Sequence, residues 1–362
     1  MRIDIIAGAR PNFIKIAPII EEIQKKEKNN YDISFRLIHT GQHYDKNMSG
    51  NFFKQLSIPV PDINLEVGSG NHAEQTANIM IRYEKLLIND PSDLCLVVGD
   101  VNSTMACSIV AKKLGLIVVH VEAGIRSFDL SMPEEINRMV TDSISDYFFT
   151  TSETANKNLI KLGIDKERIF YVGNTMIDTL LKHMPNLIRP FIFDEYNIKF
   201  KEYFVLTMHR PANVDEASKL REFLKIIESN VSGYPVLFPV HPRTASIMKK
   251  IGYEFNNIIQ IPPMSYLEFN YIVKHAKCVI TDSGGITEET TVMGVPCMTL
   301  RDNTERPETV NEGTNELIGT NPNNLTPAFK KLFDGRWKEG KIPHLWDGRT
   351  AERIINHLLT IK

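Results

Sequence analysis

Long apolar runs are missing from this 362-residue chain. No window approaches the roughly 20 apolar residues that a membrane-spanning helix needs, so a helical membrane protein is excluded. Excess charge of one sign is missing as well. Lys and Arg total 42 against 44 Asp and Glu, a net charge of -2. Nucleic-acid binders carry a basic footprint, and none is seen. Cysteine is scarce: Cys95, Cys107, Cys278 and Cys297 lie apart in apolar surroundings, with no CxxC pair. They read as buried, reduced thiols of a cytoplasmic protein. A strand starting at Arg2 leaves no charged segment followed by an apolar core, so no secretory leader is expected. Also missing are a Walker loop, a G-x-S-x-G elbow and any His/Asp/Glu cluster with metal-ligand spacing. No metal is expected.

What is there is ordinary globular composition, 42% hydrophobic and 24% charged, with room for two domains. The most informative stretch runs from Leu94 to Arg138. An apolar run, Leu94 to Val98, stops at Gly99-Asp100; a helical pattern follows, then a second apolar run, Ile117 to Val121, stops at Glu122. Short apolar runs joined by a helix are the mark of a parallel sheet buried on both faces. Ligands of such sheets bind beyond the carboxyl ends of the strands. Asp100 and Glu122 sit at that edge, and Glu134, Glu135 and Arg138 follow one loop later. Converging carboxylates point to proton transfer.

Before this stretch, Arg2 to Ile6 reads as a strand, and Gly8-Ala9-Arg10-Pro11 as a turn into a helix. Pro11 suits the first helical position. Arg10 and Lys15 lie where that helix begins, and its N–H groups favour an anion there. Ser34 to His39 is the second strand. Gly68 to Ala73 matches a loose G-x-G-x-x-A dinucleotide pattern, but no buried strand precedes it and no acidic strand end follows, so that role is rejected. Further strands are expected at Tyr147 to Thr150 and Ile169 to Val172. Gly173 to about Glu202, with Pro185 and Pro190, carries no sheet signal and marks the junction.

The second half repeats the alternation, with strands at Phe204 to Thr207, Val236 to Val240, Ile258 to Ile261, Cys278 to Thr281 and Val295 to Leu300. The expected fold class is therefore α/β, two Rossmann-like parallel-sheet domains. Residues 1–172 form the first and 173–345 the second, with a C-terminal helix at 346–362 that packs back across the junction. In the second domain, Ser283-Gly284-Gly285 ends a strand and opens a helix, a turn that lets backbone N–H groups approach a phosphate. Glu289 stands one turn on, placed to accept ribose hydroxyls. His209, Arg210, His241, Arg243 and Arg301 to Arg306 all fall at carboxyl ends of strands. Together they favour a diphosphate over an ordinary tight turn.

Gly8 to Pro11, Thr40 to His43, Gly99-Asp100, His120 to Gly124, Met132 to Arg138, Gly173 to Thr175, Met208 to Arg210, Pro239 to His241, Thr281 to Glu289 and Thr304 to Glu308 occur in order. As an ordered set they closely resemble the non-hydrolysing UDP-N-acetylglucosamine 2-epimerases, from the first strand to about Thr320. The resemblance implies a fold of GT-B type with its active site in the interdomain cleft. It implies conversion of UDP-GlcNAc to UDP-ManNAc through a 2-acetamidoglucal intermediate, with neither NAD nor metal, in a cytoplasmic homodimer serving surface polysaccharide synthesis. By the same resemblance Asp100, Glu122 and Glu134 supply acid/base catalysis and His209 stabilises the diphosphate. Arg10, Lys15, Arg138, His241, Ser283, Gly284, Gly285, Glu289 and Arg306 bind substrate or support the carboxylates. Gln42 and His43 could contact a second ligand, although Tyr44-Asp45 replace a glutamine that regulated relatives carry shortly after that pair. The His72 to Thr76 segment also resembles epimerases of UDP-2,3-diacetamido-2,3-dideoxy-uronic acids. Three alternatives follow: that substrate, a hydrolysing epimerase releasing ManNAc and UDP, or a non-catalytic UDP-sugar sensor.

Overall fold

The computed structural model describes residues 1–41, 53, 55–240, 242–252 and 254–361. The chain folds as two compact units, residues 1–182 with 344–362, and residues 183–343. Each is a parallel sheet flanked by helices.

Among the described residues the first unit holds seven strands: β1 (Arg2–Ala7), β2 (Ser34–His39), β3 (Ile63–Asn64), β4 (Leu94–Val98), β5 (Ile117–Val121), β6 (Tyr147–Thr150) and β7 (Ile169–Tyr171). Their spatial order is β3-β2-β1-β4-β5-β6-β7, and every pairing is parallel. Chain order reverses between β1 and β4, which makes the carboxyl ends of those strands the switch point where such sheets bind ligands. Helices α1 (Arg10–Lys28), α2 (His72–Asn89), α3 (Asn102–Lys113) and α4 (Pro133–Ile144) make the crossovers that frame this edge. Alternate strand residues Ile6, Ile38, Val97 and Val118 pack with Ile79, Tyr83, Ala106 and Val110 of α2 and α3. Burying each large apolar side chain contributes about 1.5–3 kcal/mol.

The second unit holds six among its described residues: β8 (Phe204–Thr207), β9 (Val236–Pro239), β10 (Ile258–Ile261), β11 (Cys278–Thr281), β12 (Cys297–Thr299) and β13 (Asn315–Leu317), in the order β10-β9-β8-β11-β12-β13. These pairings are parallel too. The switch point lies between β8 and β11. Phe204, Leu206, Phe238 and Ile280 face Leu220, Phe223 and Phe329, while Val205, Leu237 and Val279 face Phe193, Ile272 and Val273 on the other side. The two-residue side-chain period of a strand thus fills both faces.

The division falls at 182/183, ten residues beyond the expected 172/173. Gly173 does break the pattern, at φ +105, in a place where a Cβ would lie 2.2 Å from the Leu345 carbonyl oxygen. The chain then continues as a helix, Thr175–His183, bound to the first unit by a hydrogen bond from the Thr179 hydroxyl to the Ile14 carbonyl and by a Lys182–Glu21 ion pair. The C-terminal segment belongs to the same unit. Trp346 is buried and donates to the Thr151 carbonyl, and Asp178 accepts the Ala351 N–H at the start of helix Thr350–Leu358. Strands β3 and β13 were not expected; each is a sheet edge of two or three residues.

Candidate active site

In the first unit the carboxyl edge is built from two left-handed turns on neighbouring strands. Gly99, just after β4, has φ +72, and Glu122, just after β5, has φ +68. Left-handed backbone is natural for glycine and uncommon for glutamate, and such strain gathers at functional sites. The absence of a side chain on Gly99 has a use: a Cβ there would lie 3.3 Å from Lys15 Nζ and 3.8 Å from Glu122 Oε2. Those two groups form a buried ion pair, Nζ donating to Oε2 at 2.7 Å. Asn12 fixes the turn from below, accepting the Ala9 N–H and donating to the Val98 carbonyl.

Asp100 is half-buried and receives two hydrogen bonds from Arg138, from Nε at 3.1 Å and from a terminal nitrogen at 2.6 Å. Two charge-assisted bonds converging on one oxygen, Oδ2, both orient and neutralise this carboxylate. The other terminal nitrogen of Arg138 donates to Glu135 at 2.7 Å. Glu135 is buried and also accepts the Ser127 and Phe128 N–H groups. Glu134, one residue earlier, is exposed on the first turn of α4. Neighbours on a helix point about 100° apart, so this pair divides into one anchor and one solvent-facing carboxylate. An amide chain continues the edge: Asn137 donates to the Asp100 carbonyl and to Asn102, and Asn102 to Gln75.

Beneath lies a group not singled out from the sequence. His120 and Asp142 are both fully buried, with Nδ1 2.7 Å from Asp142 Oδ1 and Nε2 2.9 Å from the Gly99 carbonyl. Burial opposes the Asp142 charge, but His120 and Arg126 outweigh it and hold the carboxyl below the usual range.

In the second unit the switch-point edge sets each of its named cations against a carboxylate. Ser283 occupies the N-cap of helix Gly284–Met293 without a side-chain cap hydrogen bond, so its hydroxyl does not compete for the helix's first N–H groups. Arg301 is buried beside it, paired with Glu305 at 2.5 Å, and reaches within 3.6 Å of where a Cβ on Gly284 would stand. His209, after β8, is exposed, with Nδ1 2.9 Å from Asp282. Arg306 is buried against Glu288 at 2.5 Å. Glu289 is buried as well, accepts from Asn270 at 3.4 Å, and has its carboxyl pushed up to about 7 by burial. Glu308 is pushed up to about 7 by the same cause. Arg10 opens α1, whereas Gln42, His43 and His241 lie outside the described residues. Among the described residues no group of three His, Cys, Asp or Glu could hold a metal ion.

The first unit thus gathers Lys15, Asp100, Glu122 and Arg138, and the second gathers His209, Ser283, Gly284, Gly285 and Arg306. Asn12, Asp142, Asp282 and Glu288 carry no role in the sequence reading; Glu135 and Arg301 stand in it among the edge charges, and the structure gives them their partners. Asp282 and Glu288 lie within the Thr281 to Glu289 motif, and their buried partners are set by packing.

Two Rossmann-like parallel-sheet units of seven and six strands among the described residues define a protein of GT-B type. A family model described as UDP-N-acetylglucosamine 2-epimerase matches residues 25–359. The UDP-N-acetylglucosamine 2-epimerase of Methanocaldococcus jannaschii is 42% identical over 370 residues, covering 99% of both chains. The UDP-2,3-diacetamido-2,3-dideoxy-D-glucuronate 2-epimerase of Pseudomonas aeruginosa is 36% identical over 362 residues, again covering 99% of both. A crystal structure of the Methanocaldococcus jannaschii UDP-GlcNAc 2-epimerase, in complex with UDP-GlcNAc and UDP, superposes with a TM-score of 0.88 at 41% identity and 99% coverage of each chain. The chain belongs to the UDP-N-acetylglucosamine 2-epimerase family and is an isomerase.

Proposed function

We propose that this chain interconverts UDP-GlcNAc and UDP-ManNAc at C2 without hydrolysis, supplying a surface polysaccharide precursor. The observation that carries the reading is the buried Lys15–Glu122 pair beside the Arg138-bound Asp100, on neighbouring strand ends. The C2 proton of a hexosamine has no adjacent carbonyl to acidify it. Loss of UDP from C1 as a base takes that proton solves the problem. The C2–H electrons form the C1=C2 bond of 2-acetamidoglucal, and the C1–O pair leaves with UDP. Re-addition reverses the flow, with a proton arriving at C2 from the opposite face. Two proton-transfer groups are the minimum, and Asp100, Glu122 and Glu134 supply them. Lys15 and Arg138 hold Glu122 and Asp100 in place.

The second unit takes the nucleotide. The helix start at Ser283, Gly284 and Gly285 receives the diphosphate, with His209, Arg306 and His241 as further contacts; in the first unit Arg10, at the start of α1, is a further anion-binding candidate. Glu289 serves the ribose hydroxyls, and Gln42 and His43 meet a second ligand. Exposed Phe128, Leu130, Ile136 and Met139 support a homodimer through the first unit. Among the described residues no helix is long and apolar enough to cross a membrane, and all four cysteines are free and buried; we place the enzyme in the cytoplasm.

The test is proton NMR with UDP-GlcNAc in deuterated water. UDP-ManNAc carrying deuterium at C2 is the expected product, and Glu122→Gln is expected to slow it about 10³-fold while UDP binding persists. Release of free ManNAc would identify a hydrolysing enzyme instead. A second reading, the UDP-2,3-diacetamido-uronic acid as substrate, is favoured by the 36% identity to the Pseudomonas aeruginosa enzyme. It gains ground if UDP-GlcNAc is left unchanged.

A further inference from the structure

We infer that Asp282 is a positioning residue that fixes which nitrogen of His209 meets the substrate, and that it couples this ring to the phosphate-binding turn. Asp282 follows β11 and is fully buried. Its two oxygens anchor the His209 segment at several points. They accept the His209 N–H at 3.2 and 3.0 Å, the Arg210 N–H at 3.0 Å, an Asn213 amide hydrogen at 3.2 Å, and the His209 ring, whose Nδ1 lies 2.9 Å from Oδ1. Asn213 spans on to the Leu300 carbonyl, and Arg210 Nε donates to the Asp282 carbonyl, so the anchor is braced from β12 and from its own backbone.

The chemistry of the ring follows. A nitrogen facing a carboxylate carries a hydrogen, so Nδ1 is protonated whether the imidazole is neutral or cationic. Nε2, on a side chain 59% exposed, is then the nitrogen through which His209 exchanges a proton. Asp282 keeps the negative charge that this role needs. Burial works against it, yet His209, the Arg210 N–H and Asn213 draw its pKa below the usual carboxylate value. Its chain neighbour Ser283 is the N-cap of the phosphate-binding helix. One rigid turn therefore sets both the anion-binding N–H groups and the ring that would trade a proton with the same anion. This inference rests on the reading of His209 as the diphosphate partner.

The experiment is nitrogen-15 NMR of the histidine rings in the full-length protein, with His209→Asn used to assign the signal. In the wild-type chain the neutral His209 ring is expected as the Nδ1–H tautomer. Asp282→Asn, which offers an amide donor to the ring, is expected to switch it to Nε2–H. Turnover should fall about 10²-fold or more, the range of a lost proton-transfer group, with KM within about threefold because the helix start is untouched. Asn213→Ala should leave the tautomer as it is. An Nε2–H tautomer in the wild-type chain, needing no variant at all, overturns the proposal. So does an unchanged tautomer, or unchanged turnover, in Asp282→Asn. If the wild-type chain turns over no UDP-sugar, the functional reading fails separately, and the tautomer alone still decides whether Asp282 sets the ring.

Discussion

Each unit holds a histidine against a buried aspartate, and the two pairs are put to opposite uses. In the first unit both nitrogens of His120 are committed, one to Asp142 and one to the Gly99 carbonyl, and the ring is fully buried. It ties β5 to the turn that carries Asp100 and leaves no nitrogen for a ligand. In the second unit Asp282 takes only Nδ1 of His209, and the ring projects from the edge. A histidine with two buried acceptors is a strut; one with a single buried acceptor is a tool with its handle fixed. The difference lies in what faces the second nitrogen.

The widest separation is expected from replacing each ring. His209→Asn should cut turnover about 10³-fold, equivalent to about 4 kcal/mol of barrier, and leave the unfolding midpoint nearly unchanged. His120→Asn should do the reverse. Removing one partner of a buried pair costs about 3–5 kcal/mol of stability: Asp142 Oδ1 loses the ring while its other oxygen stays with Arg126, and turnover per folded molecule falls far less. The check is turnover in deuterated water alongside denaturant unfolding. A His120 variant that folds normally yet is inactive would erase the distinction.

The glycines at the two switch points sharpen it at smaller amplitude. A Cβ on Gly8 would meet Ser103 Oγ at 2.1 Å, where that hydroxyl is already bonded to Thr40. Gly8→Ala should destabilise by about 2 kcal/mol through overpacking. On Gly284 the Cβ would meet the end of Glu305 at 3.1 Å and the Arg301 guanidinium at 3.6 Å, both far ends of long side chains. Gly284→Ala should therefore fold as well as its parent, within about 0.5 kcal/mol, and lose UDP affinity because the methyl stands where the backbone must approach the phosphate. Calorimetric UDP titration separates the outcomes; equal stability losses in both would show that neither edge is built for a ligand.

Much of this was legible in the sequence, and the remainder follows a physical pattern. Leu94–Val98 and Ile117–Val121 announce buried strands because a parallel strand hidden on both faces has no polar alternation, and their ends locate Asp100 and Glu122. Ile63–Asn64 and Asn315–Leu317 announce nothing, since two or three residues at an edge are held by backbone pairing alone. The Lys15–Glu122 pair joins residues 107 apart in the chain, a distance that no spacing rule reaches; the family resemblance marked both, and the fold brings them together. Neighbouring carboxylates were equally opaque. Glu134 and Glu135, or Glu288 and Glu289, differ only by the rotation of a helix, and that rotation decides which one anchors an arginine. Asp282 did leave a trace, as the one charge between an apolar strand and a glycine pair.

The smallest effect tests what aspartates gain from their partners, by way of a carboxylate that lacks them. Among the described residues no other side chain or backbone group bonds the two buried oxygens of Glu308, and burial lifts its carboxyl to about 7, although Arg306 pulls the other way. Between its ordinary value of 4.5 and 7 the native state therefore binds more protons than the unfolded one. Its contribution to stability is full below about pH 4.5 and is lost as pH rises through 7. Asp142 and Asp282, held low by their histidines, behave oppositely: their contribution is present above the ordinary 3.8 and lost in acid. Glu308→Gln removes the ionisation but buries an amide that also needs partners. At pH 8 the variant should be about 1–2 kcal/mol more stable than the parent, the ionisation penalty less the cost of that amide. At pH 5 the advantage should vanish or reverse. Denaturant unfolding at the two pH values, followed by Trp337 fluorescence in the second unit, reads the difference directly. An equal gain at both would mean that Glu308 stays neutral throughout, and that a buried carboxylate here needs no histidine to be tolerated.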